Sequence, residues 1–243
     1  MTVLLEVEGL TKRFGGVTAV DACSFSVPEG SITALVGPNG SGKTTAFNLI
    51  TGYARPDAGG IRFAGSAVRR PDPTRLARRG LTRTFQQARI FPELTLVENM
   101  VAGVQQPWHA WWRGAVRPAE RDRAQQLLEE FGLARLATAK AGTLSYGQKK
   151  LLEFATVLMG EPRLVLLDEP TAGVNPVLVE QIEQRVRELH ARGLTFLVVE
   201  HNMNLVMRLC DPVVVLDHGT KLAEGSPAVV RNDPRVLEAY LGD

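Results

Sequence analysis

Three short stretches carry residues that can do chemistry on a phosphate. In GPNGSGKTT, Gly37, Gly42, Lys43 and Thr44 stand at the spacing of a phosphate-binding loop. The glycines let backbone N–H groups turn inward around phosphate oxygens. Pro38, Asn39, Gly40 and Ser41 complete the loop, and Thr45 follows in the helix whose N-terminus adds partial positive charge. Lys43 is placed to reach the β- and γ-phosphates of a nucleotide, and the Thr44 hydroxyl to help hold Mg²⁺. In LVLLDEP, an apolar run carries Asp168 and Glu169 to a strand end, where ligands sit in parallel α/β sheets. Asp168 can act on the metal through its water shell, and Glu169 as general base toward water, a role worth roughly 10²–10⁴-fold in rate. In LSYGQKK, Ser145, Gly147 and Gln148 open a helix and form a second potential anion site. A single phosphate loop leaves that second site without an obvious ligand of its own.

The elements that position these residues follow from periodicity and punctuation. LLEVEGLTKRF and ACSFSVPEG alternate partially with period two and end in turn residues, the pattern of strands. SITALVG, LVLLDE, LTFLVVE and PVVVLDHG are short apolar runs, typical of strands buried on both faces. A helix from Gly42 to about Ile50 stops at Gly52. Thr95 and Glu98 have capping-box spacing before LVENMVAG. Pro118 and Gly132 bracket RPAERDRAQQLLEEFG, and the helix opened by LSYGQ ends near Gly160. NPVLVEQIEQRVRELHARG has Asn175 as N-cap, Pro176 at its first position, and one apolar stripe of Leu178, Ile182, Val186 and Leu189. Strands alternating with helices imply an α/β fold with a parallel sheet and crossover helices. The arginine-rich RRPDPTRLARRGLTR reads as a solvated helix face, with contact to a partner or to lipid headgroups as the alternative.

Composition narrows the function classes. The chain has 243 residues, 44% apolar and 22% charged, an ordinary globular balance. Net charge of +2 gives no electrostatic case for nucleic acid. Two cysteines, Cys23 and Cys210, lack ligand spacing and suit a reducing compartment. MTVLLEVEGL has no basic leader, so no signal peptide is expected, and no apolar run approaches the roughly 18 residues that span a bilayer.

Taken together and in order, the motifs resemble those of ATP-binding-cassette (ABC) ATPases. LSYGQ is similar to the family signature, with Tyr146 where glycine is commoner. The family's glutamine after a strand is matched by Gln86 in TFQQ, with Gln87 beside it as the alternative. Its histidine after the last core strand is matched by His201, its turn after the catalytic glutamate by AGVNP, and its adenine-stacking aromatic by Phe14. Singly, His201 also reads as a structural histidine and Phe14 as a core residue. The resemblance implies a P-loop NTPase fold with a RecA-like parallel-sheet core, an N-terminal antiparallel β subdomain and a helical subdomain. One domain is expected over 1–243, with core and β subdomain at 1–86 and 161–243 and the helical signature subdomain at 87–160.

It implies ATP and Mg²⁺ as ligands, with Thr44, Gln86 and Asp168 at the metal and Glu169, His201, Gln86 and Lys43 in hydrolysis. It also implies that two cassettes pair head to tail, so that Ser145, Gly147 and Gln148 close on the partner's ATP. That accounts for the second anion site. GGVTAVDACSFSVPEG, NLITGYARPDAGGIRFAG, Asn175 and the C-terminal EHNMNLVMRLCDPVVVLDHGTKLAEGSPAVVRNDPRVLEAYLGD resemble the ATPases of branched-chain amino-acid importers, and the extension QQPWHAWWRGAVRP suits the larger of their two ATPases. The implied partners are a second ABC ATPase, transmembrane permease subunits and, indirectly, a periplasmic or extracellular substrate-binding protein, at the cytoplasmic face of the membrane. An exporter, a lipid transporter or a soluble non-transport ABC ATPase are the alternatives. Trp108, Trp111 and Trp112 either pack locally or contact the membrane subunits or the lipid interface.

Overall fold

The computed structural model describes residues 2–103 and 117–241; Trp108, Trp111 and Trp112 lie outside them. Near the N-terminus, β1 (Val3–Phe14) and β2 (Val17–Pro28) pair antiparallel, and β4 (Ala58–Phe63) and β5 (Ser66–Ala67) extend them into a sheet of order β2-β1-β4-β5. The central sheet contains β3 (Ile32–Val36), β6 (Leu81–Arg83), β7 (Leu164–Asp168), β8 (Thr195–Val199), β9 (Val213–Asp217) and β10 (Thr220–Gly225) in the order β10-β9-β3-β8-β7-β6. The β9–β10 hairpin is antiparallel and the other pairings are parallel. β3, β7 and β8 are buried at every residue, as their unbroken apolar runs require.

The pleat divides these strands between two cores. Ala34, Val36, Phe196 and Val198 face one cluster. There they meet α5 (Tyr146–Leu158) and the Leu178, Ile182, Val186 and Leu189 stripe of α6 (Pro176–Ala191). Leu35, Leu197 and Val199 face the other, where they meet Phe47 and Ile50 of α1 (Lys43–Ile50) and the inner face of the antiparallel sheet. α3 (Leu96–Gly103) and α4 (Pro118–Glu130) join α5 in the first cluster. The Thr95–Glu98 box closes α3: Glu98 accepts from the Thr95 N–H at 2.7 Å, and the Glu98 N–H donates to the Thr95 hydroxyl at 3.2 Å. Asn175 caps α6 by accepting from the Leu178 N–H at 2.9 Å.

One expectation is corrected. The arginine-rich stretch is not a continuous solvated helix face. α2 covers only Pro73–Arg78, Gly80 turns the chain at φ 91°, and Leu81–Arg83 continue as β6 at the sheet edge. Leu81 and Arg83 are consequently buried.

Phe154 of α5 ties the end of α4 to β8. Its ring meets Phe131 edge-on at 5.2 Å and Phe196 at 6.4 Å between centroids. Phe154→Ala is expected to cost about 3–5 kcal/mol, the usual range for removing a buried aromatic ring. Equilibrium urea denaturation measures this, and a loss below about 1 kcal/mol would contradict the role.

Candidate functional site

Four loops converge at the C-terminal ends of parallel strands. β3 delivers Gly37–Gly42, β6 delivers Gln86, β7 delivers Asp168 and Glu169, and β8 delivers Glu200 and His201. The phosphate loop is built by close approach. A Cβ on Gly37 would lie 2.1 Å from the Leu216 carbonyl oxygen, and one on Gly42 would lie 2.4 Å from that of Ala19. Lys43 is buried. Its Nζ donates to the carbonyls of Gly37 (2.8 Å) and Pro38 (2.7 Å) and to the Ser41 hydroxyl (3.2 Å), which holds the ammonium inside the curl. Burial lowers its pKa, and nearby Glu169 partly opposes this. Gly42 caps α1 without a side-chain hydrogen bond, so the first-turn N–H groups are suited to an anion. This donor set fits a polyphosphate. Phe14 is exposed at the end of β1, with the Lys12 ammonium 5.4 Å from its ring centroid.

The Glu169 carboxylate is gripped on both oxygens. Gln86 Nε2 donates to Oε2 at 2.7 Å, and His201 Nε2 lies 2.7 Å from Oε1. Gln86, rather than Gln87, therefore reaches the acidic pair. Glu169 itself is in the left-handed region at φ 47°, a conformation that costs a β-carbon-bearing residue of order 1–3 kcal/mol and is held by its surroundings. Its N–H donates to Val199 O at 2.9 Å, and Lys150 Nζ donates to its carbonyl at 2.9 Å.

Asp168 is buried and paired with Arg83 at 2.6 Å. Arg83 also donates to Asn48 Oδ1 at 2.7 Å and to the Thr51 hydroxyl at 3.2 Å. Ser145 and Gln148 form a reciprocal capping box on α5: the Ser145 hydroxyl accepts from the Gln148 N–H at 3.3 Å, and the Ser145 N–H donates to Gln148 Oε1 at 2.9 Å. A Cβ on Gly147 would sit 2.4 Å from a Leu178 methyl, so a side chain there would have to displace the end of Leu178. Tyr146 lies over Gly173, and its hydroxyl donates to Ala172 O at 3.4 Å, which joins the helix start to the turn after Glu169.

Several site residues carry no motif signal. Arg83 and Lys150 are two. Glu200 is buried and accepts from the Thr171 N–H (2.9 Å), the Thr171 hydroxyl (2.6 Å) and the His201 N–H (3.0 Å), so it ties the β7 and β8 loops together. Tyr240, on the C-terminal helix, places its hydroxyl 3.9 Å from Met203 Sδ.

The ABC transporter family profile matches residues 20–172, and that of the branched-chain amino acid ATP-binding cassette transporter matches residues 220–243. The chain is 40% identical over 250 residues to the high-affinity branched-chain amino acid transport ATP-binding protein BraF of Pseudomonas aeruginosa, covering 99% of this chain and 98% of that protein. It is 39% identical over 250 residues to LivG of Escherichia coli K12, a protein of the same description, with the same coverage of 99% and 98%. Among solved structures it superposes with a TM-score of 0.90 and 36% identity on the ADP conformation of an ATP-binding cassette of an ABC transporter, covering 100% of each chain. A dimeric cassette in a post-hydrolysis state with ADP and Pi is 27% identical with a TM-score of 0.79, covering 92% of this chain and 99% of that one.

The buried Arg83–Asp168 pair gives a direct test of the site's packing. Arg83→Met leaves Asp168 as an unpaired buried charge and should cost about 3–5 kcal/mol in chemical denaturation. Adding Asp168→Asn should recover part of that loss. A single-variant cost below about 1 kcal/mol would show that the pair does not hold this corner.

Proposed function

This chain belongs to the ABC transporter family, among the cassettes similar to branched-chain amino-acid transport ATPases, and from that premise we propose that it hydrolyses ATP at Glu169 to drive import of branched-chain or related amino acids. The observation that carries the proposal is the Glu169 carboxylate held between Gln86 and His201, each at 2.7 Å, at the end of a buried parallel strand.

In this reading the loop from Gly37 to Gly42 and the N–H groups of Lys43, Thr44 and Thr45 hold the phosphates, while Phe14 stacks on the adenine. Thr44, Gln86 and Asp168 are the side chains that would hold Mg²⁺, which when bound neutralises charge on the β- and γ-phosphates. Glu169 takes a proton from water as the water oxygen attacks the γ-phosphorus, and the bond to the ADP oxygen breaks. Gln86 and His201 fix the carboxylate for that transfer. Ser145, Gly147 and Gln148 close on the ATP of a second cassette, so ATP becomes part of the dimer interface and its hydrolysis releases the pair.

Among the described residues no helix is long and apolar enough to cross a membrane, so in this reading the path for the amino acid belongs to permease subunits. A cavity of about 320 Å³ beside the Gln86 loop, lined by Tyr53, Pro73, Phe85, Arg89 and Thr156, suits docking of such a subunit on the cytoplasmic face of the membrane. A periplasmic or extracellular binding protein would act on the permeases, not on this chain.

Complementation tests the paired arrangement. Lys43→Ala should weaken ATP binding at least about tenfold through loss of a charge-assisted contact. Ser145→Arg should place bulk at the partner's phosphate. Each variant alone should be nearly inactive. A mixed dimer gathers both defects into one composite site and should regain up to about half of wild-type ATPase activity if the sites fire independently. Where the natural partner is a different ATPase, the two defects are divided between that chain and this one. Activity instead from a dimer of wild-type and doubly substituted chains would mean that Ser145 serves its own chain's nucleotide and would overturn the arrangement.

A further inference from the structure

Glu153 is a buried carboxylate to which the reading above gives no role. It lies on α5, eight residues after Ser145, or about 12 Å along the helix at 1.5 Å per residue. The residue is 6% exposed. Its Oε1 accepts from the backbone N–H of Phe85 and from that of Arg89, each at 3.2 Å. Those two donors flank Gln86, Gln87 and Ala88, so one oxygen pins both ends of the loop that presents Gln86. The Gln86 side chain then reaches Glu169 at 2.7 Å. One turn earlier on the same helix, Lys150 donates to the Glu169 carbonyl at 2.9 Å. A single rigid helix therefore begins at the Ser145 turn, holds the backbone of the general base through Lys150, and holds the loop of its side-chain partner through Glu153.

From this arrangement we propose that Glu153 is a positioning residue for ATP hydrolysis, which fastens the Gln86 loop to the signature helix so that movement of the Ser145 turn is delivered to Gln86 and through it to Glu169.

Burial supports a functional reason for the carboxylate. Desolvation pushes the Glu153 pKa up to about 7, against the opposing pull of the two N–H groups and of Lys150 and Arg89. An apolar side chain of similar size would fill the position without that penalty. What only an oxygen acceptor supplies is the pair of bonds to the loop. Phe154, Leu167 and Ile182, which line a small cavity together with Glu153, carry no side-chain acceptor for the loop N–H groups.

The inference rests on the roles given above to Glu169 and Gln86, and steady-state ATPase kinetics on the full chain, paired with its partner subunits, test it. Glu153→Leu should lower kcat about tenfold or more and leave the KM for ATP within about twofold, because the phosphate loop is untouched. Glu153→Gln keeps an oxygen that accepts both N–H groups and should stay within about threefold of wild type. Glu153→Leu combined with Gln86→Ala should lose no more than Gln86→Ala alone. Arg89→Pro removes one of the two donors without touching α5 and should turn over more slowly than Arg89→Ala, which keeps it; this comparison stands even if Glu153→Leu does not fold. Wild-type kcat in Glu153→Leu, fully multiplicative loss in the double variant, or equal rates for Arg89→Pro and Arg89→Ala would each overturn the proposal. A wild-type chain that binds and hydrolyses no ATP would instead overturn the functional reading on which it rests.

Discussion

The site depends on how the Glu169 carboxylate is held. In the role proposed for it, Glu169 must keep one lone pair directed at a water, and a free carboxylate on a loop would not. Here two oxygens are engaged by side chains from two other strand ends, Gln86 after β6 and His201 after β8. The backbone beneath is equally determined. Asp168, one residue earlier, is locked by Arg83, and the Glu169 peptide is bonded to Val199 on one side and Lys150 on the other. A left-handed glutamate persists because these contacts over-determine it.

The same contacts reach back to the Ser145 turn at the start of α5. The Ser145 turn lies on a helix whose buried face is not wholly apolar. Lys150 and Glu153 project from it, both buried, and end on the loops that carry Glu169 and Gln86. Tyr146 adds a contact to the turn after Glu169. In the proposed head-to-tail pair, the helix that meets one nucleotide is thus bonded within its own chain to the apparatus acting on the other. Small displacements of such a packed element are transmitted as a unit, because the interior is close-packed.

Much of this was legible in the sequence, and what was not has a common cause. The phosphate loop, the fully buried strands, the Asn175 cap and the α6 stripe are set by neighbours within a few residues, and local patterns display them. Gln86 and His201 are legible only by resemblance, and of Gln86 and Gln87 it is Gln86 that reaches Glu169. Arg83, Lys150, Glu153 and Glu200 stand in no local pattern because their partners lie far away in sequence. Arg83 pairs with a residue 85 positions on and was hidden among neighbouring arginines that are solvated. A weak signal lies in LTRTF, where Leu81 and Arg83 share one face of a strand. Likewise Lys150 and Glu153 occupy core-facing helix positions, and polar residues in an apolar stripe point to a bonded partner.

The central claim is that Glu169 is the base for hydrolysis of a nucleotide held by the Lys43 loop. Glu169→Gln tests it most directly, because the amide keeps the size of the side chain but takes no proton at neutral pH. ATP affinity and turnover are measured on the same preparation. The account predicts wild-type affinity, turnover reduced by at least about a hundredfold, and a closed dimer that accumulates with ATP and Mg²⁺ when the chain has its partner. Near wild-type hydrolysis in this variant would contradict it.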